Sequence, residues 1–159
     1  LFRSRDMVFW LMGDLSFAGS PVGLLLLLAI LMPVGLLAAR PLNVLARGDV
    51  QAQLLGVPVG PLRIALFAVA SLMTAATVTT VGAIGFVGLV VPHLTRLILG
   101  SDHRRVIPAA ALAGGILVTL ADLLARTLLA PRQLPVGALT ALVGVPLFLV
   151  LLRRARTAT

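Results

Sequence analysis

Hydrophobic residues make up 60% of this 159-residue chain and charged residues only 11%, which is too little polar surface for a soluble protein of this size. The formal charge of +8 comes from thirteen arginines and five aspartates, and the arginines lie between and beside the apolar stretches. That placement favours a role in membrane orientation and argues against a nucleic-acid partner. The chain has no cysteine, which excludes disulfides and thiolate chemistry.

Five apolar stretches are long enough to cross a bilayer, which takes about 20 residues. They lie near 20–39, 62–81, 83–100, 107–129 and 134–152. The sequence therefore predicts an all-α, polytopic transmembrane helical bundle. The segment before them does not fit a signal peptide, and residues 5–15 predict a short interfacial helix at the outer face. Because the chain starts at Leu1 without Met, we expect further sequence upstream.

The arginines are unequally divided between the two ends of the predicted spans. One side holds Arg40, Arg47, Arg63, Arg96, Arg104, Arg105, Arg153, Arg154 and Arg156, and the other holds Arg3, Arg5, Arg126 and Arg132. Because cytoplasmic loops carry the excess of positive residues, the side with more arginines and the C-terminus are predicted to be cytoplasmic.

The longer predicted cytoplasmic loop, 40–63, contains a candidate docking segment. Within it, residues 42–56 predict a pair of short helices, broken at Gly48 and stopped by Gly56 and Pro58. A segment of this kind either docks a partner or is a connector lying at the headgroups. Its residues alone leave both interpretations open.

The shorter predicted cytoplasmic loop, 100–108, reads GSDHRRVIP. Ser101 or Asp102 is suited to cap a helical turn. Arg104 and Arg105 are suited to anionic lipid headgroups, although a plain solvated run of charge is the simpler interpretation.

The stretch Gly82–Gly100, GAIGFVGLVVPHLTRLILG, is interrupted in a way that a simple membrane anchor does not need. Pro92 lacks the backbone donor and clashes with the carbonyl of Gly88, which predicts a bend at this point. Gly82, Gly85 and Gly88 recur every third residue, a spacing that allows a neighbouring helix to approach closely. We interpret this stretch as a closely packed, movable part of a transport bundle.

The third and fourth predicted spans each contain a pair of ionisable residues. His93 and Arg96 form one polar helical turn near the predicted cytoplasmic end, where a packing role for His93 is favoured over ligand binding. Asp122 and Arg126 are four apart in the acid-first order that favours an ion pair on a helix face. Arg126 is then either neutralised by Asp122 or offers its guanidinium to a carboxylate on an external partner.

No set of residues fits a catalytic centre. Ser71 and His93 lie on different predicted spans, and no acidic residue follows Asp122. An intramembrane serine protease and a metal-dependent phosphotransferase are therefore both unsupported. The sequence predicts no catalytic residue, no metal site and no cofactor.

Two long runs of the sequence resemble the C-terminal half of the FecCD-type permeases, the membrane subunits of ABC importers for iron–siderophore complexes, haem and cobalamin. These runs are GAIGFVGLVVPHLTRLILGSDHRRVIP and ADLLARTLLAPRQLPVGALTALVGVPLFLVLLRR. The pieces FWLMGDL and RPLNVLARGDVQAQLLGV also fit, so the resemblance covers essentially the whole chain.

The resemblance implies a ten-span ABC importer permease in the bacterial cytoplasmic membrane, with about five of its spans here and the C-terminus inside. The implied partners, besides the lipid bilayer, are cytoplasmic ATPase subunits, a periplasmic or lipoprotein substrate-binding protein, and a second permease subunit in a homodimer or heterodimer. The implied mechanism is alternating access, with ATP hydrolysis on the partner, so the permease itself is not an enzyme.

The resemblance also implies roles for particular residues. The family's cytoplasmic coupling helices, which sit in a cleft of the ATPase, match this chain at Gly48, Asp49, Gln53, Leu55 and Gly56. Family members often carry Glu where this chain has Asp49. Arg126, with Asp122 beside it, matches an arginine at the outer face that pairs with an acidic residue of the binding protein.

An iron–siderophore complex is the expected substrate, with cobalamin and haem as alternatives. A hypothesis of another class, a membrane scaffold that does not transport, predicts that Pro92 and the glycines around it are dispensable. We also expect that this chain does not transport without the remaining helices of the family's fold.

Overall fold

The computed structural model describes residues 13, 15, 19–127 and 134–157, and in this part of the chain all regular structure is helical. The helices are α1 (Val22–Leu45), α2 (Asp49–Leu54), α3 (Val59–Val81), α4 (Val87–Leu99), α5 (His103–Thr127) and α6 (Val136–Thr157). The all-α prediction is confirmed. Five helices fall on the five predicted spans, and α2 falls in the predicted docking segment. The interfacial helix predicted over 5–15 lies almost entirely outside the described residues.

Three helices are long and apolar enough to cross a membrane, namely α1, α3 and α5. α4 has only 13 residues, and the apolar part of α6 runs over Val136–Leu149. A 13-residue helix is about 20 Å long, which is shorter than the hydrocarbon core of a bilayer. The third predicted span, 83–100, is therefore corrected: its helix begins only at Val87.

The helical structure of this third span is interrupted before α4, and the bend expected at Pro92 stays a prediction. Gly82 (φ 77°) ends α3, and Phe86 adopts a left-handed conformation (φ 66°) immediately before α4. α4 then continues through Pro92. The physical reason is that proline removes a single intrahelical hydrogen bond, whereas a left-handed residue turns the backbone out of the helical path.

The three glycines of this stretch do not lie on one helix. Gly82 caps α3, Gly85 is non-helical and Gly88 lies in the first turn of α4. A methyl group at Gly85 or Gly88 would meet no atom of the described chain within 4 Å. Their packing role in a complete transport bundle stays a prediction.

α5 is the central helix, since it packs against α1, α4 and α6, whereas α3 packs mainly against α1 and α2. Small residues let these helices approach closely. Gly35 of α1 lies against Ile107, and Gly114 of α5 lies against Val87 of α4. Between α4, α5 and α6 is an apolar crevice of about 300 Å³.

Large apolar side chains cover the outward surfaces of the long helices. Leu37 is 81% exposed, Phe67 72% and Leu112 70%. The hydroxyl groups of α3 donate to carbonyl oxygens of their own helix, as Thr74 does to Ala70 and Thr80 to Ala76. The outward surface is apolar, and its hydroxyl groups are hydrogen-bonded within their own helix. Such a surface is typical of helices that contact lipid or further apolar helices and not water.

Candidate functional site at the two ends of the bundle

Hydrogen bonds show which loops share an end of the bundle. Asn43, in the last turn of α1, donates to the carboxylate of Asp102 just before α5, so the loops around α2 and before α5 lie together. We call this the α2 end. It collects Arg40, Arg47, Arg63, Arg96, Arg104 and Arg105, as the predicted division of arginines requires.

The opposite end of α5 carries Arg126, and we call it the Arg126 end. Here the N–H of Gly137 donates to the carbonyl of Gly13 at 3.2 Å, and the N–H of Leu134 donates to the carbonyl of Ala125 at 3.3 Å. Ala121, Ala125 and Val136 are buried together at this end. The two ends are thus well defined, while the assignment of the α2 end to the cytoplasm stays a prediction.

The short helix α2 rests on the bundle by one face. Gly48 (φ 119°) precedes it and Gly56 (φ 79°) follows it, and both backbone conformations favour glycine. Ala52 is fully buried, and its carbonyl accepts the N–H of Val57 at 2.9 Å. The predicted break at Gly48 and stop at Gly56 are confirmed, but the predicted pair of short helices is wrong: residues 42–45 are the last turn of α1, and only α2 is a separate short helix.

The other face of α2 is apolar and open. Val50 is 71% exposed, Leu54 82% and Leu55 66%. An ion pair of 2.8 Å between Asp49 and Arg63 joins the start of α2 to α3. The structure therefore brings the predicted coupling residues onto one exposed segment: Gly48, Asp49, Gln53, Leu55 and Gly56. Exposed apolar side chains in a loop, outside the spans, are typical of a surface that another protein covers.

Arg126 and Asp122 form the ion pair that their spacing predicts. The Nε of Arg126 donates to Oδ2 of Asp122 at 2.9 Å, and the arginine side chain remains 44% exposed. Within the described residues the two terminal amino groups of Arg126 make no further bond. One carboxylate thus orients the guanidinium while its outer edge stays available to a second carboxylate.

His93 and Arg96 are exposed on α4, and the buried residue of that turn is Thr95, whose hydroxyl donates to the carbonyl of Val91 at 2.7 Å. The packing role favoured for His93 is therefore not formed within the described chain. The roles assigned to Pro92, His93 and Arg96 in a transport bundle stay predictions.

Two arrangements were missed by sequence reasoning. Phe86 lies so close to Gly144 of α6 that any side chain at Gly144 would collide with it. Asp102 caps α5 as predicted, since its Oδ1 accepts the N–H of Arg104 at 3.0 Å, but its partner Asn43 was not anticipated. The available signal was that Asn43 is the only asparagine of the chain and lies at the end of a long apolar run.

The described helices, with apolar outer surfaces and three lengths sufficient to cross a bilayer, define an all-helical polytopic membrane protein. Residues 2–154 match the FecCD transport family, and the chain belongs to this family.

Three curated relatives are similar over nearly the whole chain. The hemin transport system permease protein HmuU of Yersinia pestis is 46% identical over 96% of this chain and 46% of its own length. The Fe(3+) dicitrate transport system permease protein FecD of Escherichia coli K12 is 44% identical over 98% and 51%. The vitamin B12 import system permease protein BtuC of Citrobacter koseri is 40% identical over 98% and 47%. The chain thus spans about half the length of the relatives it matches.

A solved structure agrees with this result. It is described as an inward-facing conformation of a metal-chelate type ABC transporter, and it superimposes with a TM-score of 0.86 at 33% identity. The match covers 94% of this chain and 49% of that chain. The fold is therefore that of an ABC transporter permease.

Proposed function

We propose that this chain forms the C-terminal half of the permease of a bacterial ABC importer, which moves a metal chelate across the cytoplasmic membrane. The observation that carries the proposal is the family match over 2–154, together with an exposed apolar α2 between two membrane helices. ATP hydrolysis takes place on a partner subunit, and the permease converts it into alternating access of a path through the membrane.

The substrate that we propose first is an iron–siderophore complex. The three named relatives carry hemin, Fe(3+) dicitrate and vitamin B12, and the structural neighbour is of metal-chelate type. All of these are metal chelates, and two of the named substrates contain iron. Haem and cobalamin are the alternatives that the experiment has to separate.

The α2 segment is the proposed docking site for the ATPase. Its buried Ala52 anchors it to the bundle, so a push on α2 is transmitted to α1 and α3, which it contacts. Its exposed Val50, Leu54 and Leu55 supply the apolar contact that a cleft on the ATPase would bury. The half-exposed Asp49–Arg63 pair adds polar groups at the rim of the same surface.

Arg126 is the proposed contact for a substrate-binding protein on the other side of the membrane. Its bond to Asp122 holds the side chain in one orientation, and its exposed edge fits a carboxylate in the bidentate manner of arginine. Asp122 has a supporting role here, because it limits the rotamers of Arg126 before docking.

The test is uptake of a radiolabelled iron–siderophore complex, haem or cobalamin by cells that lack their own permease. The cells carry the full-length gene with its ATPase and binding protein, either as wild type or with Arg126→Glu. We expect uptake of the iron chelate, lost with Arg126→Glu and retained with the control Arg105→Glu at the α2 end. If Arg126→Glu does not change uptake, the docking role of Arg126 is wrong. If the protein is present in the membrane and the cells take up none of the three chelates, the proposed function is wrong.

A further inference from the structure

Two consecutive residues at the start of α5 are bonded to a single side chain of α1. Nδ2 of Asn43 donates to Oδ1 of Asp102 at 2.7 Å. Oδ1 of Asn43 accepts the backbone N–H of His103 at 2.8 Å and lies 2.7 Å from Nδ1 of the same histidine. The carboxylate of Asp102 also accepts the N–H of Arg104, so the amide bonds directly to the cap of α5. We call Asn43, Asp102 and His103 the α1–α5 latch.

The hydrogen bonds determine how the groups of the latch are oriented. A backbone N–H can only donate, so the amide oxygen of Asn43 must face His103 and its NH₂ must face the carboxylate. Because this oxygen can only accept, Nδ1 of His103 must carry a hydrogen, and Nε2 is the acceptor nitrogen of the neutral ring. The flipped amide would set donor against donor and acceptor against acceptor. The latch therefore has one bonded arrangement.

The latch lies at the α2 end of the bundle, at the start of the helix that runs to the Arg126 end. Asn43 lies in the last turn of α1, and the chain continues from there through Gly48 into α2. Asp102 and His103 begin α5, the central helix, whose opposite end carries Arg126. A displacement of α2 that moves the end of α1 therefore acts through the latch on α5.

We propose that Asn43 is a positioning residue that transmits movement of α2 to α5. This inference rests on the proposed function, and it adds a side-chain route from the ATPase surface to the central helix. In a static role the same bonds would only hold the bundle together. The two roles differ in one measurable quantity, the amount of chelate transported for each ATP hydrolysed.

The experiment uses the full-length permease, reconstituted in liposomes with its ATPase and binding protein, and three variants. Asn43→Asp sets two carboxylates against each other at the distance of the present hydrogen bond, and it leaves the two donors of His103 satisfied. Asp102→Asn removes the negative charge of the pair but keeps an acceptor for Asn43 and for Arg104, so it separates the loss of the charge from the loss of the hydrogen bond. The double variant Asn43→Asp with Asp102→Asn restores one amide and one carboxylate in exchanged positions.

We expect Asn43→Asp to lower the chelate transported per ATP about tenfold, the loss typical of one hydrogen bond to a charged group. Asp102→Asn should lower it by less, because a neutral hydrogen bond to Asn43 remains, and the double variant should recover to within about twofold of wild type. An equal fall of uptake and hydrolysis with an unchanged ratio, or a double variant as impaired as Asn43→Asp, would overturn the coupling role. A wild-type complex that moves no iron chelate, haem or cobalamin would instead overturn the proposed function, and the coupling role with it.

Discussion

At the scale of single residues, Phe86 and Gly144 determine how α4 is placed against α6. Phe86 is the one non-glycine residue with a positive φ in the described part of the chain, a conformation that costs about 1–2 kcal/mol. It persists because the surroundings hold it: Phe86 directly contacts Gly144, where a side chain would not fit. The absence of a side chain at Gly144 therefore has a packing reason.

The first prediction concerns Gly144→Ala. The added methyl group collides with Phe86, and overpacking of this kind costs about 1–3 kcal/mol, which exceeds the roughly 1 kcal/mol that alanine contributes to a helix interior. Thermal unfolding of the full-length permease in detergent should therefore begin at a lower temperature. The control is Gly115→Ala, also in a helix, where a Cβ meets nothing within 4 Å. A midpoint for Gly144→Ala equal to or above that of the control would contradict the prediction.

At the scale of elements, α2 is a short helix whose small residue is buried and whose large apolar residues are exposed. Its buried side is a single alanine, and its open side carries large apolar residues. The Asp49–Arg63 pair is about half exposed, and pairs of this kind contribute only about 0.2–1 kcal/mol to stability. Neither feature stabilises the bundle strongly, so the composition of α2 is better explained by a partner than by folding.

The second prediction concerns Leu54→Glu, which places a charge in the exposed apolar face of α2. We expect the affinity of the permease for its ATPase to fall at least about tenfold, as for a central residue of an interface, with the unfolding midpoint unchanged. Co-purification at several salt concentrations measures it. Ser101→Glu, exposed at the same end of the bundle but outside α2, adds the same charge and should leave the affinity within about twofold. Equal losses for the two variants would argue for a general charge effect instead of a docking face.

At the scale of the whole molecule, the α2 end and the Arg126 end are separated by the length of α5, which is about 38 Å for 25 residues. That length exceeds the hydrocarbon thickness of a bilayer, so the two ends face opposite sides of a membrane that α5 spans. The greater number of arginines at the α2 end then favours the cytoplasm for that end.

The third prediction tests this orientation in the full-length permease, with any cysteine outside residues 1–159 replaced, since these residues contain none. We expect Ala83→Cys, exposed near the Arg126 end, to react with a membrane-impermeant maleimide in intact spheroplasts. Ser101→Cys, exposed at the α2 end, should react only after the membrane is permeabilised. The reverse pattern would invert the orientation, and labelling of both from one side would contradict the arrangement of the helices.

The fourth prediction follows from the outward apolar surface of the bundle. Because the chain spans about half the length of its relatives, we expect no chelate uptake from residues 1–159 expressed alone with the ATPase and binding protein. Co-expression of the remaining part as a separate chain should restore uptake, since apolar helix faces can associate within a membrane. Uptake by residues 1–159 alone would show that the further helices are dispensable.

Features that depend on neighbours along the chain could be predicted from the sequence. The helix positions follow from apolar runs, the bounds of α2 follow from Gly48 and Gly56, and the Asp122–Arg126 pair follows from a four-residue spacing on one helix. Even the family was identifiable from ordered motifs, because a long run of unusual residues is specific whatever its fold.

The place where the third span is interrupted and the contacts that join the helices could not be predicted, because they depend on residues far apart in the chain. Pro92 has a strong local signal, yet the break lies at 82–86, where the left-handed conformation of Phe86 is held by Gly144 of a distant helix. Asn43 and Asp102 are likewise 59 residues apart, and the sequence around each of them does not indicate that they form a hydrogen bond. A local sequence pattern reflects the conformational preferences of neighbouring residues. These contacts instead depend on how whole helices pack against each other, and a single stretch of sequence does not specify that packing.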